Sequence, residues 1–86
     1  MYKIKQTTTF KKDIKQLPRT CKIEMQEVVD ILEIEGILPD EYQTHVLTHD
    51  FSGVYDSHLD DDIIILWRKK GKSITLLRIG THTDLF

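Results

Sequence analysis

Four histidines lie in the second half of this 86-residue chain: His45, His49, His58 and His82. Neutral imidazole titrates near pH ~6.5, so histidine is the side chain that most readily gives and takes protons at cellular pH. His82 lies in the closing segment GTHTDLF, and Arg78 precedes that segment by two residues. A cation near a histidine suits chemistry on an anionic phosphate. These residues therefore indicate a candidate site for proton transfer.

Asp56 and His58 are two residues apart on a strand that we predict at 54–59. Because side chains alternate with a period of two along a strand, both lie on one face and the odd-numbered residues lie on the other. A carboxylate beside a histidine can orient the imidazole. Asp56 and His58 are thus candidates for general acid-base catalysis.

Three further aspartates follow at once, Asp60, Asp61 and Asp62. Asp60 and Asp61 are typical of a charged turn between two strands. Asp62 is expected to open the next strand and is the functional candidate of the three.

The histidines fit three interpretations. In the first, a set of acid, base and charge-tuning groups cleaves RNA without a metal: a 2′-hydroxyl attacks the neighbouring phosphate and a 5′-oxygen leaves. That set is His45, His58, Asp62 and His82. In the second they bind zinc, although the spacing lacks HExxH or CxxC character and the single cysteine falls on a predicted helix face. In the third they are ordinary residues of a protein-binding module. Spacing alone leaves all three open.

Length and composition narrow the class of protein. A chain of 86 residues predicts one domain, 1–86, with a modest core. Cys21 has no partner for an internal disulfide, no N-terminal apolar run has signal-peptide length, and the longest apolar stretch, 63–67, cannot span a bilayer. We therefore expect a soluble, cytoplasmic protein.

The charges lie unevenly along the chain. Residues 1–22 carry a net charge of +6, residues 23–62 carry −12 and residues 63–86 carry +4. Folding could gather the two basic ends into one surface for an anionic ligand, although ordinary solvated faces would give the same counts.

Hydrophobic periodicity predicts a strand, a helical hairpin and then strands. Thr8 or Thr9 is expected to cap the first helix, Pro18 separates it from the second, and Gly36 ends the second. Residues 37–50 read as a turn-rich loop. The predicted strands are 2–5, 54–59, 63–69 and 74–79. This order predicts an α+β fold in which an N-terminal strand and a helical hairpin pack on an antiparallel sheet of about four strands.

Three separated segments resemble the YafQ branch of the RelE/ParE toxins. They are LPDEYQTHVL at 38–47, the Asp56-x-His58 strand end with Asp62 four residues after His58, and GTHTDLF at 80–86. In that branch a loop of the form LPxEYxxHxL, an Asp-x-His strand end and a closing GTHxxLF recur in this order. The match covers 38–86 in register, and the N-terminal part agrees only in its pattern of elements.

This resemblance implies a RelE-like fold and the activity of an mRNA interferase, the toxin of a bacterial type II toxin-antitoxin system. Such a toxin enters the ribosomal A site and cuts translated mRNA without a metal or other cofactor. A cognate antitoxin holds it inactive, and an acidic antitoxin segment would suit the basic ends of this chain.

The resemblance also implies roles for individual residues. His82 looks like the general acid that protonates the leaving 5′-oxygen. His45 and His58 look like the groups that activate the 2′-hydroxyl and contact the phosphate, with Asp62 tuning them. The supporting or substrate-binding positions are Asp56, Arg78, Thr81 and Phe86. Phe86 matches an aromatic that stacks on the nucleotide, a contact worth roughly 1–3 kcal/mol.

The chain departs from the family pattern at a few positions near these motifs. Val54-Tyr55 stands where Tyr-Arg is usual, and Asp61 and Ile63 replace a proline and a tryptophan. These changes are expected to affect codon preference and ribosome binding. Two further readings stay open: a ParE-like topoisomerase inhibitor, which would have no use for the histidines, and a weakened toxin-fold binding module.

Overall fold

The computed structural model describes residues 1–47 and 53–86. The elements are β1 (Lys3–Gln6), α1 (Thr8–Lys15), α2 (Arg19–Glu35), a 3₁₀ turn (Asp40–Tyr42), β2 (His45–Val46), β3 (Val54–His58), β4 (Ile63–Lys70), β5 (Ser73–Thr81) and α3 (His82–Leu85). The predicted α+β class is confirmed. Among the described helices, none has the length and apolar character needed to cross a bilayer.

The strands form one sheet in the order β1-β5-β4-β3-β2. Neighbours from β2 to β5 pair antiparallel, whereas β1 runs parallel to β5, with Lys3 opposite Ser73 and Gln6 opposite Leu76. The sheet is therefore mixed and has five strands, where the sequence predicted an antiparallel sheet of about four. The added strand, β2, has only two residues and lies inside the segment predicted as a loop, too short to leave an alternating pattern.

Thr7 caps α1, whereas the sequence predicted Thr8 or Thr9 as the cap. Its Oγ1 accepts the backbone N–H of Phe10 at 2.9 Å, as an N-cap does. The same hydroxyl donates to the carbonyl of Leu77 on β5 at 2.8 Å. The cap therefore also fixes α1 on the sheet.

The second helix buries one apolar face against the sheet. The buried residues recur at helical spacing and are Cys21, Met25, Val28 and Leu32. It ends at Gly36, whose φ of +72° lies in the left-handed region that favours glycine. The Tyr2 ring packs so closely on Gly36 that a Cβ there would overlap it. Lys69 Nζ donates to the Gly36 carbonyl at 3.0 Å.

The main core lies between the helices and one face of the sheet. Its central residues on β4 and β5 are Ile65, Trp67, Ile74, Leu76 and Ile79. Ile64 is also buried, yet it lies on the opposite face, because side chains alternate along the strand. The run that opens β4 is thus apolar on both faces, as a central strand requires.

Pairing of β1 with β5 brings the two basic ends of the chain together. The backbone N–H of Lys3 donates to the carbonyl of Lys72 at 2.8 Å. Lys69 and Lys72 place their ammonium groups 4.9 and 4.7 Å from the centroid of the Tyr2 ring. The expected gathering of basic residues therefore occurs around this edge of the sheet.

Candidate functional site

His45, Asp56 and His58 form a cluster on the sheet face away from the helices. His45 on β2 is directly opposite Asp56 on β3, and His58 follows Asp56 by two residues on the same face. Each residue offers one ligand-type atom, and these three atoms all lie within 4.8 Å of one another. We call this group the His-Asp-His cluster.

The carboxylate of Asp56 is the least exposed part of the cluster. Its side chain is 17% exposed, against 68% for His45, and Oδ1 lies 3.8 Å from His45 Nδ1. That distance exceeds a hydrogen bond, and no described residue donates to this buried oxygen. An unpaired carboxylate oxygen removed from water is costly, so the site is built to receive a donor or a cation.

A hydrogen-bonded chain on the core face supports the cluster from behind. Trp67 Nε1 donates to Ser57 Oγ at 2.9 Å, and Ser57 Oγ lies 2.7 Å from Thr44 Oγ1. Ser57 is fully buried, and in the sequence it lies between Asp56 and His58. Thr44 immediately precedes His45. These hydrogen bonds therefore connect β4 and β3 to the residue that precedes β2. Sequence reasoning missed Ser57 because a serine in an alternating strand carries no signal of burial.

Arg78 lies on the row of the sheet that also contains the cluster. His45 is opposite Asp56, Asp56 opposite Leu66, and Leu66 opposite Arg78. Two strand spacings, about 10 Å, separate the backbones of Asp56 and Arg78. Arg78 is thus at the far side of β4 from the cluster.

The guanidinium of Arg78 is held by Asp13 of α1. Nε and Nη2 donate to the two carboxylate oxygens at 3.0 and 3.1 Å, and the Ile79 backbone N–H donates to the same carboxylate at 3.2 Å. The Arg78 hydrogen bond is the main reason that the pKa of Asp13 is lowered, with burial opposing it. Arg78, Asp13 and Asp84 line a cleft of about 320 Å³. No motif pointed to Asp13, which is 65 residues from its partner.

Thr81 ends β5 and caps α3. Its Oγ1 accepts the backbone N–H of Asp84 at 3.1 Å, and the Asp84 carboxylate accepts the Thr81 N–H at 3.4 Å. This reciprocal capping box fixes His82 as the first residue of the helix. His82 and Phe86 are exposed, and their ring centroids are 5.0 Å apart. The supporting position predicted at Thr81 therefore has a structural basis.

The three aspartates after β3 form the turn that leads into β4. Asp60 Oδ1 accepts the backbone N–H groups of Asp62 and Ile63 at 2.8 and 2.9 Å. Asp62 is exposed and lies in this turn, immediately before β4 begins at the predicted residue 63. Asp62 is not part of the His-Asp-His cluster among the described residues. Its tuning role stays a prediction, and Asp56 is the carboxylate beside the two imidazoles.

The sheet thus carries two groups of the predicted site residues. The cluster is on β2 and β3, while Arg78 lies near the end of β5 and His82 and Phe86 follow that strand. His58 is opposite Ile64, and Ile64 is opposite Gly80, so the second row leads from the cluster to the base of α3. His49 lies outside the described residues.

Comparisons of sequence and structure relate this chain to known bacterial toxins. The chain is 35% identical over 49 residues to the mRNA interferase toxin YafQ of Escherichia coli strain B / BL21-DE3, covering 57% of this chain. That alignment spans 53% of the relative, about half its length.

Solved structures match over nearly the full length. The E. coli DinJ-YafQ toxin-antitoxin complex contains a chain with a TM-score of 0.86 and 26% identity, covering 99% of this chain and 97% of that one. A metal-bound toxin from Helicobacter pylori matches with a TM-score of 0.82 and 26% identity, covering 100% of both chains.

A family model described as the bacterial toxin of type II toxin-antitoxin system, YafQ, matches residues 2–86. This match takes in the N-terminal strand and helical hairpin as well as all three motif segments. The chain therefore belongs to the YafQ family of bacterial type II toxins.

Proposed function

We propose that this chain is an mRNA interferase that cleaves translated mRNA on the ribosome by metal-independent acid-base chemistry. The observation that carries the proposal is the close grouping of two imidazoles with Asp56 on the sheet face away from the helices. His82 follows the strand at the other side. The sequence similarity to an mRNA interferase supports the same substrate.

RNA supplies its own nucleophile, so the protein needs only to move protons and stabilise charge. One imidazole of the His-Asp-His cluster takes the proton of the 2′-hydroxyl as its oxygen attacks the adjacent phosphorus. The other imidazole donates an N–H to a non-bridging phosphate oxygen. Asp56 faces His45 Nδ1 at 3.8 Å and orients this imidazole toward the substrate.

His82 completes the reaction as general acid. It gives its proton to the departing 5′-oxygen as the bond from phosphorus to that oxygen breaks, which leaves a 2′,3′-cyclic phosphate and a 5′-hydroxyl. Phe86 is exposed beside the His82 ring and provides an aromatic surface on which a base can stack. Both residues depend on the short helix that Thr81 caps.

Arg78 stabilises the negative charge that builds on the phosphate in the transition state. Its Nε and Nη2 are bonded to Asp13, so the remaining N–H groups are those with which it contacts the phosphate. Asp62 acts from the neighbouring turn as a charge that tunes the imidazoles.

The physiological setting follows from the same proposal. The chain acts as a single domain, 1–86, in the cytoplasm, where the ribosome presents the mRNA. A cognate antitoxin inhibits it, as the DinJ-YafQ complex of E. coli suggests. The basic edge formed by β1 and β5 suits contact with ribosomal RNA or with an acidic antitoxin segment.

A toxin of the same fold from H. pylori is metal-bound. In this chain two imidazoles and the Asp56 carboxylate, whose buried Oδ1 has no hydrogen-bond partner among the described residues, fit a divalent transition-metal ion. No proton transfer in the proposed reaction requires it.

Primer extension on an mRNA translated in vitro tests the proposal. Purified wild-type protein should produce cuts only when ribosomes are present, and His82→Ala should remove them. Thr83→Ala, an exposed change on the same short helix, is the matched control and should cut like the wild type. No cuts from folded wild-type protein would contradict the proposal and favour the topoisomerase-inhibitor or binding-module readings. Cuts on naked mRNA would contradict ribosome dependence alone.

A further inference from the structure

The His-Asp-His cluster has the donor set of a transition-metal site. Two neutral imidazoles and one carboxylate suit Zn²⁺, Co²⁺, Ni²⁺ and Cu²⁺ better than Mg²⁺ or Ca²⁺, which prefer oxygen ligands. The three donor atoms come from two adjacent strands of one sheet and lie within 4.8 Å of one another. The ligand types alone therefore favour a transition-metal ion over Mg²⁺ or Ca²⁺.

The geometry needs only a small adjustment to close around an ion. Metal-ligand distances of about 2.0–2.2 Å place tetrahedral ligands roughly 3.4 Å apart. His45 Nδ1 and Asp56 Oδ1 are already 3.8 Å apart. His45 is the exposed member and can close the remaining gap by side-chain rotation, while Asp56 is held in the sheet.

Asp56 supplies an independent observation. Its Oδ1 is buried, yet no described residue donates a hydrogen bond to it. Removing an acceptor from water without a partner is unfavourable, and coordination to a cation would compensate for that loss. The free oxygen lies on the side of the carboxylate that approaches His45.

We infer that the His-Asp-His cluster of this chain binds one divalent transition-metal ion, and that this ion inhibits RNA cleavage. The inhibitory part rests on the proposed function. A neutral imidazole has one nitrogen lone pair, and coordination to a metal consumes it. A metal-bound His45 or His58 therefore cannot accept the proton of the 2′-hydroxyl.

Binding is tested without reference to RNA. Protein stripped with a chelator, and then separated from it by gel filtration, is titrated with Co²⁺ and followed by visible absorption. Zn²⁺ binding is measured by isothermal titration calorimetry. Wild-type protein should bind one ion per chain. Bound Co²⁺ should show the visible ligand-field absorption bands of an ion with a low coordination number. His45→Gln, Asp56→Asn and His58→Gln should each weaken binding at least 10-fold.

His82→Gln is the matched control, because it removes a histidine that is outside the cluster. It should leave the binding constant and the absorption bands unchanged. Thermal denaturation of each metal-free variant checks that it folds, and His45 is exposed enough for its replacement to be tolerated. Failure of wild-type protein to bind Co²⁺ and Zn²⁺ would overturn the inference, as would binding that survives all three cluster substitutions.

Inhibition is tested by primer extension with stripped protein on translating ribosomes. Cleavage should occur without added metal, decrease as Zn²⁺ fills one site per chain, and return after a second stripping. Cleavage that requires Zn²⁺, or is unaffected when the site is full, would overturn the inhibitory role. A wild-type protein that binds metal but never cuts, with or without it, would refute the proposed function while leaving the metal site established.

Discussion

Asp13 of the first helix holds both Nε and Nη2 of Arg78 on the last strand, with hydrogen bonds of 3.0 and 3.1 Å across 65 residues of sequence. The same carboxylate accepts the backbone N–H of Ile79 at 3.2 Å. Asp13 thus fixes the side chain of Arg78 and the strand beneath it. A lysine at position 78 could not reproduce the two-pronged contact.

This ion pair predicts a specific pH dependence. The hydrogen bond from Arg78 lowers the pKa of Asp13 from its ordinary value of 3.8. A lowered folded-state pKa stabilises the protein above the unfolded value, and this contribution disappears as the pH falls through the folded one. Asp13→Asn should therefore reduce the free energy of unfolding at pH 7 by about 1–2 kcal/mol. It should also flatten the loss of stability below pH ~4.

Urea denaturation at pH 7 and at steps from pH 5 to pH 2 measures both effects. Asp61→Asn, which changes an exposed aspartate in the turn before β4, is the control and should change neither. Equal acid sensitivity of wild type and Asp13→Asn would show that the pair does not contribute.

The buried hydroxyl of Ser57 predicts a second effect. Ser57→Ala leaves the Trp67 N–H without its acceptor in the core, which should cost about 1–3 kcal/mol. It also frees Thr44, so His45 should lose its fixed position and cleavage should decrease.

Trp67 is the only tryptophan, so its fluorescence reports on this change directly. Thr44→Val removes only the outer hydrogen bond and is the matched control, with a smaller loss of stability expected. A Ser57→Ala protein with wild-type stability and activity would contradict the supporting role of this chain.

The contact between Tyr2 and Gly36 predicts that alanine destabilises the protein more at position 36 than at another glycine with a similar backbone. Gly36→Ala combines a left-handed backbone with overlap between the new Cβ and the Tyr2 ring. The free energy of unfolding should fall by about 3 kcal/mol. Gly71→Ala has a similar backbone, with φ of +59°, but nothing within 4 Å of the added atom.

Gly71→Ala should therefore cost only about 1 kcal/mol. Thermal or urea denaturation of both variants gives the difference between backbone strain and overlap. If the two substitutions lower the free energy of unfolding equally, overlap with the Tyr2 ring does not contribute to the effect of Gly36→Ala.

The separation of His82 and Phe86 from the cluster predicts that toxicity and antitoxin binding can be uncoupled. His82→Ala and deletion of Phe86 should each abolish growth inhibition in cells, because acid catalysis or base stacking is lost. Affinity for the antitoxin, measured with purified proteins, should stay within a few-fold of the wild type. Joint loss of toxicity and antitoxin binding would show that the same residues serve docking and catalysis.

Sequence reasoning predicted the fold class and the face of β3 correctly because both depend on local periodicity. Asp56 and His58 share a face, and the buried apolar stripe of α2 follows its helical spacing. The resemblance in the three motif segments extended to the whole chain, since the family match runs from residue 2 to residue 86.

The missed features depend on distant pairing. The short β2 strand, the parallel alignment of β1 with β5 and the Asp13-Arg78 pair join residues that no local pattern relates. The alternation along β3 pairs Asp56 with His58, but only the register of β2 and β3 places Asp56 beside His45.

The position of β5 between β1 and β4 has a consequence for synthesis. Translation makes β1 first, yet its strand partner β5, which carries Arg78, is made only after the helices α1 and α2 and the strands β2 to β4. Until then the nascent chain has neither a complete sheet nor His82, the proposed general acid. If the proposed function is correct, the chain gains activity only after β5 and α3 have been made.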